Sequence, residues 1–279
     1  MLRNKFQKAF AGYLVLILIY WIWLHLSGKT TTNFNFFYSF LFSLVPLIGG
    51  FVGILKSSIW GRLHSALGRS VFYFGLGLFL WGAGSMVWSY YNFVPKIAAP
   101  YPSIADIGFA LSIVFWAIGA INLSRASGAK YGLRKPIMKV LVVTIPILVL
   151  AVSYYLLVTV ARQGVLVPAG ETPLKVFLDI AYPFGDVMSL TLATVILGLS
   201  FKFLGGVYRW SMVCILVGLA VMYFGDFIFS YTTTVGTFYN GDWGDLVLTA
   251  GLFFMTFGLM GFCSTPNTTR IKPVQPGVA

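Results

Sequence analysis

Ala99-Pro100-Tyr101-Pro102-Ser103-Ile104-Ala105-Asp106 leads straight into an apolar run that reaches Leu123, and that junction sets the class of fold. Ser103 followed three residues later by an acid has the spacing of a helix-capping box, although the usual third-position partner is Glu or Gln. The run behind it holds about 20 residues, enough at about 1.5 Å per residue to cross the hydrocarbon of a bilayer. The junction has two altered echoes, expected at later helix starts, Tyr182-Pro183-Phe184-Gly185-Asp186 and Gly241-Asp242-Trp243-Gly244-Asp245. In all three an acid follows a small residue and precedes an apolar run, with a glycine twelve or thirteen residues on: Gly119, Gly198 and Gly258.

Outside this junction the same kind of run repeats along the chain. Of 279 residues, 58% are hydrophobic and only 9% charged, with a mean hydropathy of +0.87, far more apolar surface than one soluble core can bury. Runs long enough to span lie near 10–26, 34–55, 71–91, 104–123, 137–160, 176–204, 210–233 and 245–262. The first follows a short basic lead, Met1 to Lys8, and is too long for the apolar part of a signal peptide, so it reads as an uncleaved helix. The expectation is an all-α integral membrane protein: one bundle of eight transmembrane helices over 1–263, and a short flexible cytoplasmic tail over 264–279. Pro266, Pro273 and Pro276 argue against a helix in that tail.

Loop charge supplies an independent check, because Lys and Arg are retained on the cytoplasmic side. With both termini inside, fifteen of the 19 basic residues fall on the inner side, leaving Lys29, Lys96, Arg162 and Lys175 outside. A missed or surplus span would scramble that asymmetry, so the pattern points to the cytoplasmic (inner) membrane. The net charge of +12 then reads as a basic inner face suited to anionic lipid head groups. It does not read as a nucleic-acid surface, since the basic residues are not interleaved with stacking aromatics on one soluble face. In the inner loop 57–68, Trp60, Leu63 and Leu67 have the spacing of an amphipathic interfacial helix. Cys214 and Cys263 lie in apolar runs and read as packing thiols, and His25 and His64 fall on opposite sides, so no metal site and no cofactor is expected.

Acidic residues are one-sided as well. Asp106, Glu171, Asp179, Asp186, Asp226, Asp242 and Asp245 all fall in the outer half or in outer loops. The positive-inside rule says little about acids, so topology does not account for this. Capping is the plain reading of Asp106 and Asp245, at helix starts where a carboxylate meets orphan N–H groups. Asp186 lies eleven residues beyond Lys175, roughly 16 Å along its helix, where an ionisable group needs a bundle interior, water or a partner. Pro183 should kink or break that helix and free a backbone carbonyl. Asp179, Tyr182 and Asp186 share one helical face, and Asp226 lies seventeen residues beyond Arg209 at a similar depth. The expected ligand-binding set is Asp106, Asp179, Asp186, Asp226 and Asp245 with Tyr182, Trp88 and Tyr101, converging on an outward-facing vestibule. Trp and Tyr favour the membrane interface in any case, but an aromatic and anionic pocket also suits a cation, and close carboxylates can share protons.

Gly-x-Ser-x-Gly, Walker and His-Glu-x-x-His signatures are absent, so no catalytic residue is assigned and an enzyme is not the favoured class. The span interiors also lack a lysine suited to a retinal Schiff base.

Trp88-Ser89-Tyr90-Tyr91 followed by Pro100-Tyr101-Pro102-Ser103-Ile104-Ala105-Asp106 resembles the multi-span sensory membrane regions in front of some bacterial diguanylate cyclases, phosphodiesterases and histidine kinases. The segments Ala181–Asp186 and Gly225-Asp226 look like the second and third acidic motifs of those regions, so the resemblance runs from about Val71 to Phe262. It implies a sensor-like module which, with no output domain expected after the eighth span, signals through a cytoplasmic partner. Two other classes use the same residues differently: a proton- or cation-coupled transporter, or a structural subunit whose carboxylates only cap helices. A two-ended transport pathway would be expected to carry acids on the inner side too.

Overall fold

The computed structural model describes residues 5–128, 134, 136–167, 169–200 and 208–263. The expected tail 264–279, and the basic residues Arg3, Lys130, Lys135, Lys202, Arg270 and Lys272, lie outside the described residues. Among those described there is no strand. The helices are α1 (Lys5–Leu26), α2 (Asn33–Lys56), α3 (Ala66–Phe93), α4 (Ile104–Ala126), α5 (Pro136–Ser153), α6 (Pro173–Ser200), α7 (Arg209–Thr234) and α8 (Trp243–Met260). A π-helical stretch, Tyr154–Ala161, prolongs α5. With that extension counted, all eight are long and apolar enough to cross a membrane.

Six of them form a closed succession of neighbours, α2, α3, α4, α6, α7, α8 and back to α2. Helix α1 packs outside on α2 and α8, while α5 packs on α6 and its π-helical extension on α7. One end of the bundle collects the starts of α2, α4, α6 and α8, as the Asn35–Asn240 and Tyr182–Asp106 hydrogen bonds require. Core-facing positions are filled by Tyr38, Phe74, Leu78, Leu123, Ile215, Leu219, Tyr223 and Leu252. The opposite faces leave Leu16, Ile19, Phe51, Ile147 and Leu148 exposed, the pattern of helices that meet lipid rather than water.

Within this ring α2–α4 and α6–α8 repeat one another. Helix α7 matches α3 at an offset of 141 residues, carrying Ser211 for Ser70, Gly218 for Gly77, Gly225 for Gly84 and Ser230 for Ser89. Helix α8 matches α4 at an offset of 139, carrying Asp245 for Asp106 and Gly258 for Gly119. The contacts repeat with the residues. A side chain on Gly77 would run into Ser112 and Trp116 of α4, and one on Gly218 would run into Gly251 and Met255, the matching positions of α8. Gly84 faces Phe109 as Gly225 faces Leu248, and Gly119 faces Phe74 as Gly258 faces Ile215. Small residues at these crossings let the backbones approach closely, which is how helices associate where no hydrophobic force separates them from lipid. Trp88 and Phe229, one offset apart, pack on each other with ring centroids 6.2 Å apart, as equivalent residues beside a two-fold axis do. The outer helices break the pattern: α1 bridges the two halves, whereas α5 stays with its own.

The loop 57–68 differs from expectation. It forms two 3-10 turns, Ser57–Trp60 and Arg62–His64, joined at Gly61 in the left-handed region at φ 79°. Trp60 turns inward, its Nε1 donating to the Phe262 carbonyl at 2.8 Å and its ring meeting Tyr208 and Phe262, so no amphipathic helix forms. The indole N–H and the left-handed glycine together hold the turn against the end of the bundle opposite the start of α4.

Candidate functional site

The acidic network grows from the start of α4. Ser103 caps the helix by accepting the Ala105 N–H at 3.2 Å, and Asp106 Oδ2 reaches back to accept the Ser103 N–H at 2.7 Å. The capping expectation for Asp106 therefore holds, and it leaves Oδ1 spare. Tyr182 of α6 takes that oxygen, its hydroxyl donating at 2.7 Å.

One turn back on α6, Asp179 Oδ1 accepts from the Tyr101 hydroxyl at 3.1 Å and lies 3.6 Å from Arg162 Nη1. Burial, reinforced by the neighbouring Asp179 carboxylate, pushes the Tyr101 phenol up, so it stays a donor at neutral pH. Helix α6 runs through Pro183 as one helix, so of the expected kink or break the break does not occur. Proline at 183 removes the amide that would pair with the carbonyl of Asp179 four residues earlier. Arg162 Nη1 fills that vacancy, donating to the Asp179 carbonyl at 2.9 Å and to the Leu166 carbonyl at 2.8 Å.

Deeper along α6, Asp186 meets Asp226 of α7, each acting on the other's side chain. Asp186 is 9% exposed and Asp226 half-buried. Tyr182 lies within electrostatic reach of Tyr101 and Asp226, and Arg162 within reach of Asp186. Tyr223 faces Asp186, and its hydroxyl donates to Ser153 of α5 at 2.9 Å. The network thus joins Asp106, Asp179, Asp186 and Asp226 with one guanidinium and three tyrosines. Asp179 is 7% exposed, and its Oδ2 is buried with no hydrogen-bond partner.

Asp245 and Trp88 belong to a different cluster. Asp242 caps α8 by accepting the Asp245 N–H at 3.0 Å, and Asp245 Oδ2 accepts the Gly241 N–H at 2.6 Å. Trp88 Nε1 donates to Asn240 Oδ1 at 3.1 Å. Tyr38 and Thr249 bond at 2.9 Å, and Asn35 Nδ2 donates to the Asn240 carbonyl at 2.9 Å. The vestibule expected from the sequence therefore divides into two sites, one at each junction between the halves of the repeat. Asp106, Asp179, Asp186, Asp226, Tyr101 and Tyr182 meet in one. Asp245 and Trp88 are in the other.

The two sites correspond residue for residue. Asn35 and Tyr38 stand three apart on α2 as Asp179 and Tyr182 do on α6, and Asn240 precedes Asp245 by five residues as Tyr101 precedes Asp106. Asn35 meets Asn240 at one junction between the halves, and Asp179 meets Tyr101 at the other. Ser85, which bonds Ser43 at 2.5 Å, stands where the second half has Asp226. Neutral polar groups in the first half are thus carboxylates in the second. Arg162 is the participant that the loop-charge reading passed over; the signal for it was Pro183, which guarantees a spare carbonyl at Asp179. Among the described residues no group of three or more His, Cys, Asp or Glu side chains is placed to hold a metal ion. No family model matches the chain, and no curated protein or solved structure matches it either.

Proposed function

We propose that the chain is a multi-pass protein of the cytoplasmic membrane, both termini inside, acting as a sensor-like receptor. A small cation or protons bind the acidic network of α4, α6 and α7 from the outer side, and occupancy is passed to a cytoplasmic signalling partner. The observation that carries the binding step is the Asp179 carboxylate, nearly fully buried, with one oxygen unpartnered in a network of four acids and one arginine. Burying carboxylates costs several kcal/mol unless a proton or counter-charge offsets it, so a site built this way favours a positively charged occupant. The orientation rests on the distribution of Lys and Arg. Signalling through a partner rests on the motif resemblance, and the basic inner face suits anionic lipid.

Thermal unfolding of the purified protein in micelles tests the binding step, with a panel of organic and inorganic cations and a pH series. Stabilisation by a cation or by protons, lost in Asp186→Asn and Asp226→Asn but kept in Asp245→Asn, is the expected outcome. Indifference of the wild-type protein to every cation and to pH would overturn it.

The internal repeat favours a second reading, coupled transport, because many secondary transporters are built from two repeats about an axis along the membrane normal. Uptake into vesicles with an imposed proton gradient separates the two: a receptor accumulates nothing.

A further inference from the structure

We infer that the ligand of the α4–α6–α7 site is an organic cation that donates N–H hydrogen bonds to Asp179 and carries an apolar body. This rests on the receptor reading above and narrows it to a chemical class.

At the junction of α8 with α2 and α3 the site is filled by the chain itself. Asn35 donates through Nδ2 to the carbonyls of Lys29 and Asn240, at 3.0 and 2.9 Å. The Asn240 side-chain oxygen accepts from Ser39 at 3.0 Å and from Trp88 Nε1 at 3.1 Å. At the junction of α4 with α6 and α7 the place of the donor Asn35 is taken by an acceptor, Asp179, and the chain supplies too few donors for it. Tyr101 and Arg162 serve Oδ1 and the backbone carbonyl, and Oδ2 has nothing. A carboxylate oxygen accepts only, so the missing partner is a donor. Arg162 is the one cation in the network, against four acids, so the donor's natural charge is positive.

Substitutions around it set the rest of the ligand. Ser39 and Trp88, the polar contacts of Asn240, correspond to Pro183 and Phe229, which offer carbon surface instead. Tyr101 and Tyr182 add aromatic faces suited to a cation. Asp226 in place of Ser85 adds negative charge to the network. A quaternary ammonium has the charge but no N–H and leaves Oδ2 unsatisfied. A bare metal ion finds no cluster of ligands among the described residues.

Benzylamine and benzyltrimethylammonium carry the same charge and ring and differ in N–H donors, so they are the probes. The purified full chain in micelles is unfolded thermally with each, at matched ionic strength. Benzylamine at saturating concentration is expected to raise Tm by about 3 °C or more, while benzyltrimethylammonium gives less than a third of that shift. Asp179→Asn, which restores the residue type of the first half, is expected to abolish the benzylamine shift, and Asp245→Asn to leave it intact. The wild-type comparison stands even where a variant folds poorly. Equal shifts from both probes, or a benzylamine shift that survives Asp179→Asn, overturn the inference. Failure of both probes while another cation or acid stabilises through Asp186 overturns the N–H class and leaves the receptor reading. Failure of every cation and of acid overturns both.

Discussion

Arg162 donates to the Asp179 carbonyl that Pro183 leaves without an amide partner, and the same Nη1 lies 3.6 Å from the Asp179 carboxylate. One guanidinium thus repairs the backbone of α6 and partly neutralises the acid beside it. Both jobs fall to a residue at the far end of the preceding helix, so the α5–α6 connection is tied to the site it overhangs.

Removing that guanidinium is expected to be costly. Arg162→Ala leaves the buried Asp179 carboxylate without a counter-charge and its carbonyl without a donor, and breaking a buried pair in this way costs about 3–5 kcal/mol. Because Asp179 keeps Tyr101 as a partner, the lower end of that range is expected. Asp179→Asn in the Arg162→Ala background removes the uncompensated charge and is expected to recover part of the loss. Chemical or thermal unfolding of the two single variants and the double variant measures this coupling, and simple additivity would contradict it.

Tyr182 and Asp106 give a smaller and differently distributed effect. Tyr182→Phe deletes the 2.7 Å bond to Asp106 Oδ1 but leaves the Ser103–Asp106 cap in place, so about 1 kcal/mol is expected. Asp106→Ala removes the cap and the tyrosine's acceptor together, for roughly 2–3 kcal/mol. In the Asp106→Ala background Tyr182→Phe is then expected to be nearly neutral, which unfolding measurements on the double variant decide.

Much of the fold was legible because lipid imposes simple demands: eight apolar runs of spanning length became eight helices, and Ser103 and Asp106 capped where their spacing said they would. What stayed hidden was which faces meet. The echo between Asp106 and Asp245 was visible, but helical registers alone could not show that Asp245 pairs with the α2 side and Asp186 with Asp226. That division follows from the helix crossings, whose glycines have partners tens of residues away in sequence and leave no local periodicity. The echo at Asp186 was of another kind: it lies on α6, equivalent to α2, rather than at a helix start. Arg162 counted as one charge in an outer loop, because loop-charge reasoning asks which side a residue is on and not which carbonyl it reaches.

Those glycine crossings are directly testable. Gly77→Ala pushes a methyl into the Trp116 indole and the Ser112 carbonyl of α4, Gly218→Ala one into Met255 and the Gly251 carbonyl of α8, and each is expected to destabilise by about 1–3 kcal/mol, as overpacking does. Gly12 of α1 has open space where a side chain would go. Gly12→Ala is therefore expected to stabilise by up to about 1 kcal/mol through helix propensity alone. A matched loss at positions 77 and 218 beside a gain at 12, read as Tm shifts, would support the repeated packing; unequal signs at 77 and 218 would count against it.

Asp242 provides the pH test, since it lies just ahead of α8 and caps it through Asp245 N–H while only 5% exposed. Burial raises its carboxyl above the ordinary carboxylate range, and the amides of Asp245 and Gly244 and the Thr232 hydroxyl offset part of that rise. A carboxyl whose pKa is higher folded than unfolded contributes stability that is full below the unfolded value, about 3.9, and is lost as pH rises through the folded value. Asn at this position keeps the accepting oxygen and carries no charge. Asp242→Asn is therefore expected to match the wild type near pH 4 and to exceed it increasingly as the pH is raised toward 7. The measurement is the difference in Tm between the two proteins across that interval, and a difference that stays constant or narrows would show that burial of this carboxylate is offset by partners beyond its three hydrogen bonds.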